Sequence, residues 1–159
     1  MGSNQNSTYE SLIAWQKANE LALAVYKSTK IFPKDELFGL TSQIRRASLS
    51  VPTNIAEGYA RKNSKVLKTF LDIAYGSLVE TNYLLGFSSD IGYLSPQTYQ
   101  KLAVLCDDVG ALIWKFTESV VRKEQWAVAA LVAPAPGSRF PGNGYASSSC
   151  STKYYWFWV

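Results

Sequence analysis

Along most of the first 123 residues, apolar side chains recur at alternating steps of three and four, the spacing of helices that bury one face. The first run joins Leu12, Trp15, Ala18, Ala22, Val25, Tyr26 and Thr29 and stops at Pro33. Ahead of it, Ser7-Thr8-Tyr9-Glu10 reads as a capping box, with Ser7 accepting from the Glu10 amide and the Glu10 carboxylate reaching back to Ser7. A helix is predicted to begin there. The second run comprises Leu37, Leu40, Ile44, Ala47, Val51 and Ile55 and ends at Gly58, a residue suited to a left-handed C-cap. Pro52 lies inside this run. It has no amide to donate and its ring crowds the Ser48 carbonyl, which predicts a kink or local loosening eased by neighbouring Ser and Thr hydroxyls.

The third run has Ser64 as its expected N-cap and carries two adjacent stripes, Val66, Phe70, Ile73, Ser77, Thr81 and Leu84 beside Leu67, Leu71, Ala74, Leu78 and Leu85. A face that wide meets more than one neighbour. Gly76 and Gly86 each cost about 1 kcal/mol against alanine in a helix interior, so close helix approach is the expected reason for them. The fourth run is the clearest: Ser95 as N-cap, Pro96 at the first helical position, then Tyr99, Leu102, Cys106, Val109, Ile113, Phe116 and Val120 without a break. Short connections between consecutive helices make them antiparallel neighbours. The expected fold is all-α, an up-down-up-down four-helix bundle over residues 1–123.

After Lys123 the pattern dissolves. Pro134, Pro136, Gly137, Pro141, Gly142 and Gly144 lead into Ser147-Ser148-Ser149 and then Tyr154-Tyr155-Trp156-Phe157-Trp158-Val159. Residues 124–159 therefore read as a linker and an irregular aromatic C-terminal tail. No internal repeat is visible.

A chain of 159 residues supports one ordinary domain, and 47% hydrophobic with 18% charged residues is globular composition. No apolar run approaches the roughly 20 residues of a membrane span, and the first seven residues are polar, so a soluble cytoplasmic protein without membrane attachment is expected. Cys106 falls on a helical stripe and Cys150 far off in the tail, which does not suggest a disulfide framework. Histidine is absent altogether. Ser-His and Cys-His nucleophiles, imidazole acid-base chemistry, di-iron carboxylate sites and most transition-metal sites are thereby excluded. The expectation is a non-enzymatic protein with no cofactor and no metal.

Charge is distributed unevenly. Between Thr41 and Phe70 stand Arg45, Arg46, Arg61, Lys62, Lys65 and Lys68, with Glu57 as the only acid, a net of +5 in a chain whose total is +4. Arg61, Lys62, Lys65 and Lys68 surround the expected start of the third helix, where the dipole disfavours cations but free amides and those cations together favour phosphate. A nucleic acid, RNA or DNA, would resolve that conflict; a merely solvated basic face is the other reading. Arg45 and Arg46 point about 100° apart, so one is expected to face solvent and the other the bundle. Glu57 and Glu80 are the candidate carboxylates for a structural ion pair with an inward arginine. Trp15, Trp114 and Trp126 are either base-stacking groups or packing anchors, and their spacing favours anchors; Trp15 and Trp114 are candidates for a contact between protomers.

Four ordered motifs carry a resemblance: Ala14-Trp15-Gln16-Lys17-Ala18, Phe38-Gly39-Leu40-Thr41-Ser42-Gln43-Ile44-Arg45-Arg46-Ala47, Asn54-Ile55-Ala56-Glu57-Gly58 and Ala74-Tyr75-Gly76-Ser77-Leu78-Val79-Glu80. From Leu12 to Val121 the chain resembles the bacterial four-helix bundle proteins encoded in 23S ribosomal RNA intervening sequences. The resemblance implies an all-helical bundle assembling as a ring-like homopentamer. It also implies a distant relation to the basic, nucleic-acid-binding accessory protein of diversity-generating retroelements. It brings no catalytic residues, and the tail after Lys123 has no counterpart in it. A nucleic-acid-binding homo-oligomer is the leading expectation, and a ring-like scaffold presenting surfaces to a protein partner is the alternative.

Overall fold

The computed structural model describes residues 9–132, with side chains described as far as Gln125. Ser7 of the expected capping box, Cys150 and the aromatic tail lie outside the described residues. A single 3-10 turn, Tyr9–Ser11, leads into helix α1, Ile13–Ser28. Helix α2 runs Leu40–Ala60, α3 Ser64–Asp90 and α4 Pro96–Val132. Each helix packs on the next, and α4 returns against α1, which closes the ring of neighbours expected of an up-down-up-down bundle. Among the described residues there is no strand, and no helix is long and apolar enough to cross a membrane.

Every helix turns a face toward two others, and the core is a continuous column: Leu21 and Val25 from α1, Ile44, Val51 and Ile55 from α2, Leu71, Ala74 and Leu85 from α3, Val109 and Ile113 from α4. The expected stripes account for most of it, with shifts at their edges. In α1, Leu21 is fully buried although it was not on the expected stripe, while Tyr26 is exposed, because α1 divides its apolar face between α2 and α4. In α3 the second stripe is buried from Leu71 onward, joined by Thr81 and Leu84 of the first, while Val66 and Ile73 are exposed. Leu37 is exposed because α2 has not yet begun there: it follows the two 3-10 turns, Thr29–Ile31 and Lys34–Glu36, that link α1 to α2.

The caps correct two expectations. Helix α3 is capped by Asn63, not Ser64: the Asn63 Oδ1 accepts from the Val66 amide at 3.1 Å, and Ser64 is the first helical residue. Asparagine and serine serve that position about equally, so sequence alone does not choose between them. Gly58 is not a left-handed cap but a buried residue inside α2. A Cβ on Gly58 would lie 2.6 Å from Phe70 Cβ and 3.1 Å from Leu67 Cδ1, so the backbone of α2 approaches the side chains of α3 closely here. Gly76 has nothing within 4 Å of where its Cβ would be, so close packing within this chain does not explain it. Ser95 caps α4 as expected, its hydroxyl accepting from the Thr98 amide at 3.2 Å.

Pro52 is buried within an unbroken α2. Around it, Thr53 Oγ1 donates to the Leu49 carbonyl at 2.8 Å and Asn54 Nδ2 to the Ser50 carbonyl at 2.8 Å. Side chains here occupy carbonyls of the turn that a proline disturbs.

Candidate nucleic-acid interface

The chain reverses direction between α2 and α3 within residues 61–63. The Arg61 amide donates to the Gly58 carbonyl at 3.3 Å and the Lys62 amide to the Tyr59 carbonyl at 3.4 Å, which closes the end of α2. Lys62 then adopts φ +52°, a left-handed conformation that costs a non-glycine residue about 1 kcal/mol or more. Asn63 starts α3. A turn this short sets Arg61, Lys62, Lys65 and Lys68 together around the first turns of a 27-residue helix.

Two of the four are already matched. Arg61 Nη2 lies 2.6 Å from Glu57 Oε1, one helical turn back, and its guanidinium stands 5.9 Å from the Phe70 ring centroid. Lys68 Nζ lies 2.7 Å from Asp72 Oδ2. Both pairs are exposed and span a single helical turn, an arrangement worth only about 0.3–0.5 kcal/mol, so an incoming phosphate can displace either carboxylate. Among the described residues, Lys62 and Lys65 have no carboxylate within ion-pair distance. These two are the cations most available to a partner.

Arg45 and Arg46 belong elsewhere. At a rise of 1.5 Å per residue, the fifteen steps from Arg46 to Arg61 span about 22 Å of α2, so the six cations that are close in sequence form two groups in space. As expected, the adjacent arginines diverge: Arg46 is exposed and Arg45 is half-buried. Among the described residues, Arg45 has no carboxylate within ion-pair distance. Its Nε donates to Thr29 Oγ1 at 2.8 Å and its guanidinium lies 5.1 Å from the Tyr26 ring centroid. Glu57 pairs with Arg61 instead, and Glu80 accepts a long 3.3 Å bond from Gln43 Nε2.

At the same end of the bundle a chamber of about 670 Å³ opens between the α2–α3 turn and the later part of α4. Tyr9, Tyr59, Leu67 and Phe116 form apolar walls, with Lys62 and Lys123 among the lining residues. Beside it, the Ser64 hydroxyl donates to the Glu124 carboxylate, tying the start of α3 to α4. Lys123 and Glu124 had no place in the basic cluster read from sequence, being some sixty residues away from Ser64. Antiparallel pairing of α4 with α3 is what brings them together, and α4 continues past Lys123 to Val132.

The tryptophans separate. Trp15 is half-buried against the core and meets Tyr9 edge-on at 5.1 Å between centroids. Trp114 is 64% exposed on the outer face of α4. The backbone of Trp126 lies in α4, and its side chain falls outside those described. Cys106 is buried, and burial, aided by the neighbouring Asp107 charge, pushes its thiol up to about 12. A thiol held protonated in this way is a packing group, not a nucleophile.

No curated protein matches the chain. A solved structure from Bacteroides thetaiotaomicron, a protein of unknown function from the S23 ribosomal protein family, superposes with a TM-score of 0.60 at 21% identity, covering 66% of this chain and 98% of that one. At that identity the likeness speaks for the fold. The model of the 23S rRNA-intervening sequence protein family matches residues 10–115, from the turn before α1 to the middle of α4. With those residues spanning the bundle and all four motifs, the chain belongs to the 23S rRNA-intervening sequence protein family.

Proposed function

We propose that this protein is a non-enzymatic, homo-oligomeric helical bundle that binds nucleic acid, RNA or DNA, through the cations at the α2–α3 end. The observation that carries this reading is the placement of Lys62 and Lys65, without carboxylate partners among the described residues, at the N-terminus of a 27-residue helix. Arg61 and Lys68 flank them in weak exposed pairs that phosphate can replace. If two to four phosphates are neutralised, affinity for duplex falls with a log-log salt slope of roughly −2 to −4. The test compares wild type with the variant in which Arg61, Lys62, Lys65 and Lys68 are all changed to glutamate, on structured RNA and on duplex DNA, at low and moderate salt. Loss of about tenfold or more in affinity is expected. Unchanged binding in the variant, or none by the wild type, overturns the reading.

A second reading, a protein-interaction scaffold built as a ring-like oligomer, has its own support further along α3. Tyr75, Val79, Tyr83 and Phe87 follow one another at four-residue steps along the exposed side of α3, and Tyr83 at 69% exposure stacks on Phe87 at 6.5 Å. Asn82, beside them, holds a buried Oδ1 with no hydrogen-bond partner among the described residues. Apolar residues in such an unbroken row suit a contact with another chain. The family resemblance favours a homopentamer, and mass measurement of the wild type and of a Val79→Glu, Tyr83→Glu double variant tests it. An assembly of five 17.6 kDa chains that falls to monomer in the variant supports an interface on this face. A monomeric wild type removes the oligomer.

A further inference from the structure

Beside the surface cations, the α2–α3 end holds a chamber that shares Lys62 with them and adds Lys123 and the apolar residues of α4. Its volume of about 670 Å³ falls within the roughly 300–1,000 Å³ of small-molecule sites. Its lining includes three aromatic side chains, Tyr9, Tyr59 and Phe116, and the aliphatic Leu67 and Val120. Two of its lining side chains are cationic, Lys62 from the turn and Lys123 from α4. Neither lysine has a carboxylate within ion-pair distance among the described residues. One carboxylate, Glu124, stands beside the chamber, held by the Ser64 hydroxyl. Apolar walls with two cations against one acid call for a ligand with a flat, poorly hydrated ring and an attached anion.

We propose that this chamber is a nucleotide pocket, taking one base between its aromatic walls and that base's phosphate on Lys62 and Lys123. The inference rests on the nucleic-acid reading above and makes it specific: a strand lying along Lys65 and Arg61 delivers one unstacked nucleotide into the chamber. Base-aromatic stacking contributes roughly 1–3 kcal/mol and tolerates any base, because every base has a π-face. A duplex with both ends closed has no base to offer. Single-stranded or frayed nucleic acid is therefore the preferred class.

The test uses the full chain and a short single-stranded DNA oligonucleotide carrying 2-aminopurine, whose fluorescence reports stacking, at one position at a time. Two variants separate the contributions. Ser119→Trp, at an exposed α4 residue that lines the chamber, fills it without altering any charge. Lys62→Gln with Lys123→Gln removes the cations without altering the walls. The wild type should bind the single strand about tenfold tighter than blunt duplex and change 2-aminopurine emission at one position. Ser119→Trp should abolish both effects while duplex binding persists, and the double lysine variant should weaken the single-strand complex by about tenfold. Glu124→Gln should strengthen it.

Competition by free adenosine monophosphate sorts the source: displacement of the oligonucleotide shows a pocket for mononucleotides as such, and its absence shows a pocket for a nucleotide within a strand. Wild-type emission and affinity in Ser119→Trp overturn the pocket while leaving surface binding intact. No binding of any nucleic acid or of the mononucleotide overturns both.

Discussion

Arg45 Nε donates to Thr29 Oγ1 at 2.8 Å, and that buried hydroxyl donates onward to the Val25 carbonyl at 2.9 Å, so the end of α1 is tied through one side chain to the start of α2. Thr29→Val deprives a half-buried guanidinium of its acceptor and is expected to lower stability by about 1–2 kcal/mol. Arg45→Lys gives up the planar contact with Tyr26 and should cost about 0.5–1 kcal/mol. Neither change should alter nucleic-acid affinity, because Arg45 lies a long way from the α2–α3 turn. Chemical denaturation and fluorescence anisotropy on the same samples check both statements.

Gly58 and Gly76 should respond in opposite senses to alanine. At Gly58 the added methyl meets Phe70 Cβ, an atom next to the backbone that cannot swing aside, and overpacking of that kind costs about 1–3 kcal/mol, more than the helix propensity gained. At Gly76 nothing stands within 4 Å, so alanine should raise stability by about 0.5–1 kcal/mol. Thermal melts of the two single variants decide it, and an equal response would mean that α2 and α3 are not in close backbone contact at Gly58.

Thr41 is buried in the first turn of α2 with an Oγ1 that has no hydrogen-bond partner among the described residues. Thr41→Val keeps the shape and removes the unmet polar atom, and a gain of about 1 kcal/mol is expected. A loss of stability would show that the hydroxyl has a partner after all.

Cys106 gives a pH dependence whose sign can be worked out. Its thiol ordinarily titrates at 9.0 and is pushed up to about 12 by burial and by Asp107. Above pH 9 the unfolded chain releases this proton while the folded one keeps it, so the contribution to stability is whole below that point and is lost as pH rises toward 12. Cys106→Ala should flatten that alkaline decline relative to wild type. In a Cys150→Ser background, a thiol reagent near neutral pH should label Cys106 slowly in the folded protein and rapidly after denaturation.

How much of this was legible in the chain follows from how local each signal is. The 3-4 spacing of Leu102, Cys106, Val109 and Ile113 needs only one helix to be interpreted, and all four are buried. Leu21 was missed because the width of α1's apolar face depends on two neighbours at once. Gly58 was misassigned because a glycine near the end of a run serves equally well as a cap or as a point of contact, and only the position of Phe70 distinguishes them. The basic stretch was visible as composition, and the four cations around the start of α3 already stood apart from Arg45 and Arg46, as the 1.5 Å rise that carries Arg46 away from Arg61 requires. The chamber was invisible for a related reason: Phe116, Ser119 and Lys123 join Lys62 only through antiparallel pairing.

The contact at Gly58 has a mechanical meaning. Gly58 sets the α2 backbone directly against the Phe70 and Leu67 side chains, and a three-residue turn joins the two helices, so the hairpin that carries Lys62 and Lys65 is close-packed at its base. In the proposed pocket, adjustment to a ligand would therefore fall to the walls outside that hairpin, the segment of α4 bearing Phe116 and Lys123 and the turn bearing Tyr9.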